Sequence, residues 1–301
     1  MTITKEYRIT LPISLEEYRV AQLYSVAESS KNETGGGEGV EVLKNDPYPA
    51  EDANMSKNSK GRAGQFTHKL FHLESRVPAF IKMIAPKGSL TIDEQAWNAY
   101  PYCRTVITNP GYMKDNFFIE LLTWHKSDDG TTENVHELST SDWKKVEVVK
   151  IDICNPNPAL ASADIDPKLD PLTYAHAESG RGPLTKTWLT DLQQMCKEIT
   201  AGRKEKSEAP VHMTCYKLVS CRFKWLGLQG RVENYIHKAQ RRIFTLFHRQ
   251  VFCWQGPHGE KTTGWYGMTM DDIRRIEQET KDALDAERNK GDKRGHGALE
   301  D

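Results

Sequence analysis

The chain has 301 residues and a formal net charge of -1, from 41 basic and 42 acidic side chains. This balance excludes a general electrostatic attraction to nucleic acid or to acidic lipid. No apolar run is long enough to cross a bilayer, and residues 1–8 lack the apolar core of a signal peptide. We therefore expect a soluble globular protein that stays in the cytoplasm.

The six cysteines are scattered along the chain without a CxxC pair. This spacing favours neither a zinc site nor a disulfide framework, so we expect reduced and mostly buried thiols. His68 and His72 have a spacing that suits a metal ion on a helix, but on a strand they lie too far apart to share one. No metal ion or other cofactor is predicted.

The first predicted elements are a strand and a helix. Residues 7–11 alternate apolar and polar side chains, which is typical of a strand. Ser14 and Glu17 then have the spacing of a capping box, in which each side chain accepts a hydrogen bond from the other residue's backbone amide. A helix is expected from there to about Ser29.

Alternation and β-branched content predict the remaining strands, and two long helices close the chain. The predicted strands cover residues 39–43, 65–73, 103–108, 117–126, 146–153 and 214–225, and the helices cover 231–253 and 270–289. Residues 45–63 and 256–264 are rich in loop-forming residues and are expected at the surface. Without an internal repeat or a linker, we predict one domain over residues 1–290 and a mobile tail over 291–301.

The strand predicted over residues 65–73 has two chemically different faces. Thr67, Lys69, Phe71 and Leu73 share one face, which is polar at one end and apolar at the other. This gradient suits a wall that faces an amphipathic ligand, although a core strand with a lysine at its rim gives the same pattern. Similar graded faces are predicted at residues 103–107, 117–123 and 217–225. Together they indicate a concave antiparallel sheet with helices on one side.

The final helix places a carboxylate beside its apolar stripe. Ile273 and Leu284 define the stripe at helical spacing, and Glu277 lies on or next to it. A buried carboxylate needs a hydrogen-bond donor, which Lys69 or a ligand rich in hydroxyls can provide. The alternative is a solvated Glu277 with a partner such as Lys281.

Eight segments follow one another in an order typical of a known family: residues 5–8, 22–28, 31–43, 67–69, 96–105, 180–184, 223–225 and 270–275. On these segments the chain resembles the phosphatidylinositol transfer proteins over nearly its whole length. The resemblance implies an α+β fold of the START-like or helix-grip type. In such a fold a concave, mainly antiparallel β-sheet flanked by long helices encloses one phospholipid.

The resemblance also implies the site residues. Inositol-ring contacts are expected at Thr67, Lys69, Asn98 and Glu277, phosphate contacts at Gln22, Thr105, Thr123 and Lys217, and a thiol near the lipid at Cys103. Close family members carry two adjacent tryptophans at their membrane-docking tip, whereas this chain has Trp225 and Leu226. Both side chains can enter the bilayer interface, so docking is still expected.

The sequence therefore predicts a monomeric lipid transfer protein that exchanges phosphatidylinositol, and phosphatidylcholine as well, at transiently contacted membrane surfaces. A lipid sensor or scaffold without net transfer is the alternative, and it differs in exchange rate. No enzyme is predicted. Cys103 has no local nucleophile signature, and the glycine-rich residues 35–39 lack the Lys-Ser/Thr of a phosphate-binding loop.

Overall fold

The computed structural model describes residues 3–34, 38–73, 86, 90–225, 227–259 and 261–287. These residues form an eight-stranded sheet with the order β2-β3-β4-β5-β6-β8-β1-β7. The strands are β1 (Ile3–Leu11), β2 (Gly39–Tyr48), β3 (Gly64–His72), β4 (Thr91–Ala99), β5 (Tyr102–Thr108), β6 (Phe117–Lys126), β7 (Glu147–Ile151) and β8 (Met213–Phe223). Every neighbouring pair is antiparallel except β1 and β7. The predicted α+β class with a mainly antiparallel sheet is confirmed.

The helices in the described ranges are α1 (Leu15–Asn32), α2 (Ala53–Ser56), α3 (Thr140–Trp143), α4 (Trp188–Thr200), α5 (Gln229–Cys253) and α6 (Met270–Glu287). The capping box of α1 is present, with the Ser14 amide donating to Glu17 at 2.9 Å and the Glu17 amide donating to Ser14 at 3.2 Å. No helix in the described part of the chain has the length and apolar character to span a membrane.

Four elements are absent from the sequence predictions: strand β4, helix α4 and the four-residue helices α2 and α3. Strand β4 has the sequence TIDEQAWNA, in which polar side chains occupy both faces, so it lacks the apolar alternation by which strands are recognised. Helix α4 is amphipathic but was not identified. The prediction of a loop over residues 45–63 was wrong in part, because β2 continues to Tyr48 and α2 follows. Asp52 begins α2 by accepting hydrogen bonds from the Asn54 and Met55 amides at 3.0 and 3.1 Å.

The main hydrophobic core lies between α1, α5 and the half of the sheet that contains β6, β8 and β1. Ile9, Val219 and Cys221 from the sheet are fully buried, together with Val251 and Phe252 from α5. A ring layer formed by Tyr18, Tyr100, His125 and His248 lies beside this core, with neighbouring ring centres 4.9–6.0 Å apart. The core therefore covers the half of this sheet face at β6, β8 and β1 and leaves most of the other half, at β2 to β5, uncovered.

The ring layer contains two buried histidines that are held neutral. His248 Nδ1 donates to the Phe244 carbonyl at 2.7 Å, which leaves Nε2 to accept from the Tyr18 hydroxyl at 3.0 Å. His125 Nδ1 donates to the Pro101 carbonyl at 2.9 Å. Burial, with a smaller contribution from nearby Lys217, lowers the pKa of each histidine to about 3. Both rings act as neutral packing groups at neutral pH.

Helix α6 is fastened to the sheet edge by a chain of hydrogen bonds. Gln65 on β3 donates to Asn45 on β2 at 2.9 Å, and Asn45 donates to Glu277 on α6 at 3.3 Å. Arg274, one helical turn away, donates to the same Glu277 oxygen at 2.5 Å. The prediction that Glu277 lies on or beside the inward stripe is confirmed, since its side chain is 16% exposed. Its partners are Asn45 and Arg274 and include neither Lys69 nor Lys281.

We expect Asn45→Asp to weaken the attachment of α6. The substitution removes the donor to Glu277 and places a second carboxylate beside it. The free energy of local opening of α6 should fall by about 1–3 kcal/mol. Hydrogen exchange of the α6 amides measures this change. Asn54→Asp, which adds the same charge at an exposed position of α2, is the control and should leave α6 unchanged.

The neutral histidines predict acid sensitivity. Between the ordinary histidine pKa of 6.5 and the folded value of about 3, the unfolded chain binds protons that the folded chain does not. The free energy of unfolding should therefore fall as the pH is lowered below about 6.5. His248→Gln should reduce this slope by up to about 1.4 kcal/mol per pH unit in urea denaturation series. An unchanged slope contradicts the assignment of His248 as neutral and buried.

Candidate functional site

A cavity of about 440 Å³ lies between the open half of the sheet and the helices α1, α5 and α6. Strands β2, β3, β4 and β5 form its floor, and β8 reaches it at one position. The predicted site residues on its wall are Gln22, Thr67, Lys69, Asn98, Cys103, Lys217 and Glu277. The fold therefore gathers residues from six elements that are far apart in sequence.

Antiparallel pairing explains how these residues meet. Gln65 lies opposite Asn98, and Asn98 lies opposite Cys103. The row continues from Cys103 to Thr123 and from Thr123 to Lys217. Residues directly opposite in an antiparallel sheet point to the same face. A single row of mostly polar side chains therefore crosses five strands.

Thr105 and Thr123 are not part of the cavity wall. Thr123 is 5% exposed and lies in the polar row between Cys103 and Lys217. Thr105 lies two residues from Cys103 on β5, with its hydroxyl 3.9 Å from the Cys103 sulfur. The two hydroxyls thus lie next to wall residues, while their expected phosphate contacts stay a prediction.

The graded face of β3 faces the cavity through Thr67, Lys69 and Phe71. Leu73 is not on the wall. The apolar parts of the faces predicted on β6 and β8 do not line the cavity, because Ile119, Val219, Cys221 and Phe223 belong to the main core. Only the polar row of these strands approaches the site. For β6 and β8, the structure therefore shows the alternative that the sequence left open, an apolar core strand with a polar residue toward its end.

Sequence reasoning missed Glu94, a carboxylate on the cavity wall. It lies directly opposite Lys69 in the pairing of β3 with β4. Burial raises the pKa of Glu94, and the nearby Lys69 ammonium opposes that change. Glu94 lies four residues before Asn98, so the two share one face of a strand. The sequence analysis does not predict β4, and Glu94 is therefore absent from the predicted site.

Several buried polar atoms on the wall have no hydrogen-bond partner within the described residues. They are Gln22 Nε2, Asn98 Oδ1 and Thr280 Oγ1. A buried polar group without a partner costs about 1–3 kcal/mol. Gln22 and Asn98 were both predicted as ligand contacts from the sequence. A ligand with hydroxyl or phosphate oxygens would satisfy such groups, whereas an apolar ligand would not.

The helix side of the cavity contains an apolar patch. Helix α1 supplies Leu23 and Val26, α5 supplies Ile243 and Phe247, and α6 supplies Leu284. Val26 is 37% exposed and Ile243 is 51% exposed, so the apolar patch reaches the protein surface between α1 and α5. The cavity thus combines this apolar patch with polar side chains from both sides, because Gln22, Glu277 and Thr280 of the helices line it together with Lys69, Glu94 and Asn98 of the sheet.

Cys103 faces this cavity as a neutral thiol. Burial raises the pKa of the Cys103 thiol, and the Lys217 ammonium opposes that rise. The Lys217 nitrogen itself lies 5.3 Å from the centre of the Phe244 ring. A thiol that resists ionisation is a poor nucleophile. Lys217 is left as a positive charge at the end of the polar row.

Trp225, one of the two residues expected at the membrane-docking tip, is not part of the cavity wall. Trp225 is half-buried, and its ring centre lies 5.9 Å from that of Tyr112. Leu226 lies outside the described residues.

His68 and His72 each have a separate carboxylate partner, Asp93 at 2.6 Å and Glu41 at 3.1 Å. The two histidines therefore make separate pairs.

The family model for phosphatidylinositol transfer proteins matches residues 2–282. The phosphatidylinositol transfer protein beta isoform of Bos taurus is 50% identical over 300 residues, which cover 100% of both chains. Phosphatidylinositol transfer protein 1 of Dictyostelium discoideum is 40% identical over 288 residues, or 94% of each chain. Protein retinal degeneration B of Drosophila melanogaster is 37% identical over 94% of this chain, which corresponds to 21% of that larger protein. The chain belongs to the phosphatidylinositol transfer protein family.

Proposed function

We propose that the protein binds one phosphatidylinositol molecule in the cavity and carries it between membranes. The observation that supports this most directly is that the cavity wall combines unsatisfied polar groups, Gln22 and Asn98, with an apolar patch on α1 and α5. An inositol ring offers several hydroxyls to such polar groups. The names of the full-length relatives point to the same cargo.

In this proposal the headgroup lies over β3 and β4 and the phosphate lies near Lys217. Thr67, Lys69, Asn98 and Glu277 contact the inositol ring, and Gln22, Thr105 and Thr123 contribute to the phosphate site. A site built to pair hydroxyls rejects a headgroup that leaves its buried polar groups unpaired. Phosphatidylcholine is proposed as a second cargo, held through its phosphate and acyl chains.

Part of the cavity wall is deeply buried, since Val40 is 4% exposed and Leu284 is 1% exposed. The helices that cover the cavity must therefore move if a lipid is exchanged. Exposing acyl chains to water costs about 0.8 kcal/mol per methylene, so they must stay enclosed. We propose that α6 and the segment around Trp225 form a lid that opens on the membrane.

The bound phospholipid is cargo, and the proposal includes no catalytic step or cofactor. The protein is proposed to act as a cytoplasmic monomer that contacts membrane surfaces only while it exchanges lipid. A sensor or scaffold that binds the same lipid without net transfer is the second candidate function. The two differ in whether labelled lipid leaves donor vesicles at a rate set by the protein.

The proposed cargo predicts a selective effect of Lys69→Ala. Loss of the ammonium removes a charged donor to the inositol ring but leaves the phosphate and acyl contacts in place. Transfer of labelled phosphatidylinositol between vesicles should fall about tenfold or more, while phosphatidylcholine transfer should be retained. Equal loss of both cargoes would point to a folding defect instead.

Mass spectrometry of the lipid bound to the wild-type protein after exposure to mixed membranes should find phosphatidylinositol, and its absence would overturn the proposal.

Because the segment around Trp225 is proposed as part of the lid, we expect Trp225→Ala to slow lipid exchange without releasing the lipid that is already bound. Removing an interfacial indole should reduce the transfer rate about tenfold, because a buried large apolar side chain contributes about 1.5–3 kcal/mol. Lipid already bound in solution should stay bound. Trp143→Ala, which changes the same residue type in α3 away from the cavity wall, is the matched control. A Trp225 variant with wild-type vesicle binding and transfer would contradict the docking role.

A further inference from the structure

Glu94 is a cavity-wall carboxylate with no role in the set of contacts derived above. It lies in the middle of β4, directly opposite Lys69 on β3. Its neighbour Asp93 points to the opposite face of the sheet and accepts from His68 at 2.6 Å. Within the described residues Glu94 has no hydrogen bond or ion pair, although the Lys69 charge acts on it. The Glu94 carboxylate therefore faces the cavity and is available to a ligand.

The other charged side chains on the cavity wall determine how the negative charge of Glu94 affects the charge balance with a bound lipid. Glu277 is already paired with Arg274 on its own helix. On the sheet side of the cavity, the charged side chains are the ammonium groups of Lys69 and Lys217 and the carboxylate of Glu94. The helix side adds Glu33 and Arg242, and Arg242 is paired with Asp164. A phosphodiester brings one negative charge. On the sheet side, two cations therefore meet two anions when a lipid with an uncharged headgroup, such as phosphatidylinositol, is bound.

A choline headgroup changes this balance. It brings a fixed positive charge into the same space, next to Lys69, and it has no hydroxyl to donate or accept. A cation in a cavity of low polarity needs an opposite charge close by. Glu94 is the wall carboxylate that has no partner among the described residues.

We propose that Glu94 determines cargo choice by providing the counter-charge for the quaternary ammonium of a choline headgroup. With phosphatidylinositol bound, the same carboxylate accepts a hydrogen bond from a ring hydroxyl. Lys69 and Glu94 then act in opposite directions, since Lys69 favours the polyol and Glu94 makes the choline cation acceptable. This inference rests on the proposed function, and specifically on the cavity as the site of both headgroups.

Loss of the Glu94 charge should affect phosphatidylcholine more than phosphatidylinositol, and this difference tests the proposal. Glu94→Gln keeps the size of the side chain and its capacity to accept from a hydroxyl, but it removes the charge. Phosphatidylcholine then faces two ammonium groups with only its own phosphate to balance them. Phosphatidylinositol loses only the charge on one of several hydrogen-bond partners. The ratio of bound phosphatidylcholine to phosphatidylinositol should fall about tenfold, as expected for the removal of one partner of an enclosed charge pair.

The experiment equilibrates each purified full-length variant with vesicles that contain equal amounts of the two lipids and counts bound lipid by native mass spectrometry. Asp93→Asn is the matched control, because it removes the same charge from the adjacent residue on the face away from the cavity. Glu94→Asp restores the charge and should restore most of the phosphatidylcholine binding. A Glu94→Gln ratio equal to that of the wild type, or a similar fall in Asp93→Asn, would overturn the proposal.

A lipid analogue tests the same idea in the wild-type protein, so the result does not depend on the folding of a variant. Replacing the choline nitrogen by carbon gives a 3,3-dimethylbutyl headgroup of the same shape without the charge. The wild type should bind phosphatidylcholine at least about fivefold more tightly than this analogue. Equal binding would overturn the role of Glu94 while leaving the transfer function intact. If the wild type carried neither natural lipid, the proposed function itself would fail.

Discussion

The arrangement of this protein depends on holding charged side chains on the floor of a cavity that is otherwise backed by apolar core. Lys69 and Glu94 lie opposite each other on adjacent strands, and Lys217 ends a polar row that crosses five strands. Charges enclosed in this way are costly unless they balance one another or meet a ligand. The sheet provides that balance because antiparallel pairing brings side chains from distant segments directly opposite each other.

The need to balance enclosed charges also explains why the two halves of this sheet face differ. On one half, β6, β8 and β1 pack against α5 and fill the space with Val219, Cys221 and Phe252. On the other half, the floor cannot pack against an apolar helix without burying unpaired charge. Helices α1 and α6 therefore enclose a space there instead, and α6 is fastened at its edge by Asn45 and Glu277. The cavity therefore lies where the hydrophobic core does not extend.

Conventional patterns in the sequence predicted most of the fold. Seven of the eight strands were found, and β6 was predicted over the range that it occupies, because their apolar faces pack on the core and leave an alternating pattern. Strand β4 was missed for the physical reason that makes it interesting: its Glu94 and Asn98 face a cavity instead of apolar core. Hydrophobic periodicity detected the other floor strands, β2, β3 and β5, and it failed at β4, where polar side chains occupy both faces.

The sequence by itself determined the class of fold, the capping of α1, the apolar stripe of α6 and, through family segments, a set of polar residues for one site. Tertiary structure decided which of them meet. It placed Gln22, Lys69, Asn98 and Lys217 on one wall, set Thr123 just behind it, and paired Glu277 with Asn45 and Arg274. Strand register and helix packing fix these positions. Both depend on contacts between residues that are separated in sequence, such as Thr123 with Lys217 and Asn45 with Glu277, and local patterns do not encode them.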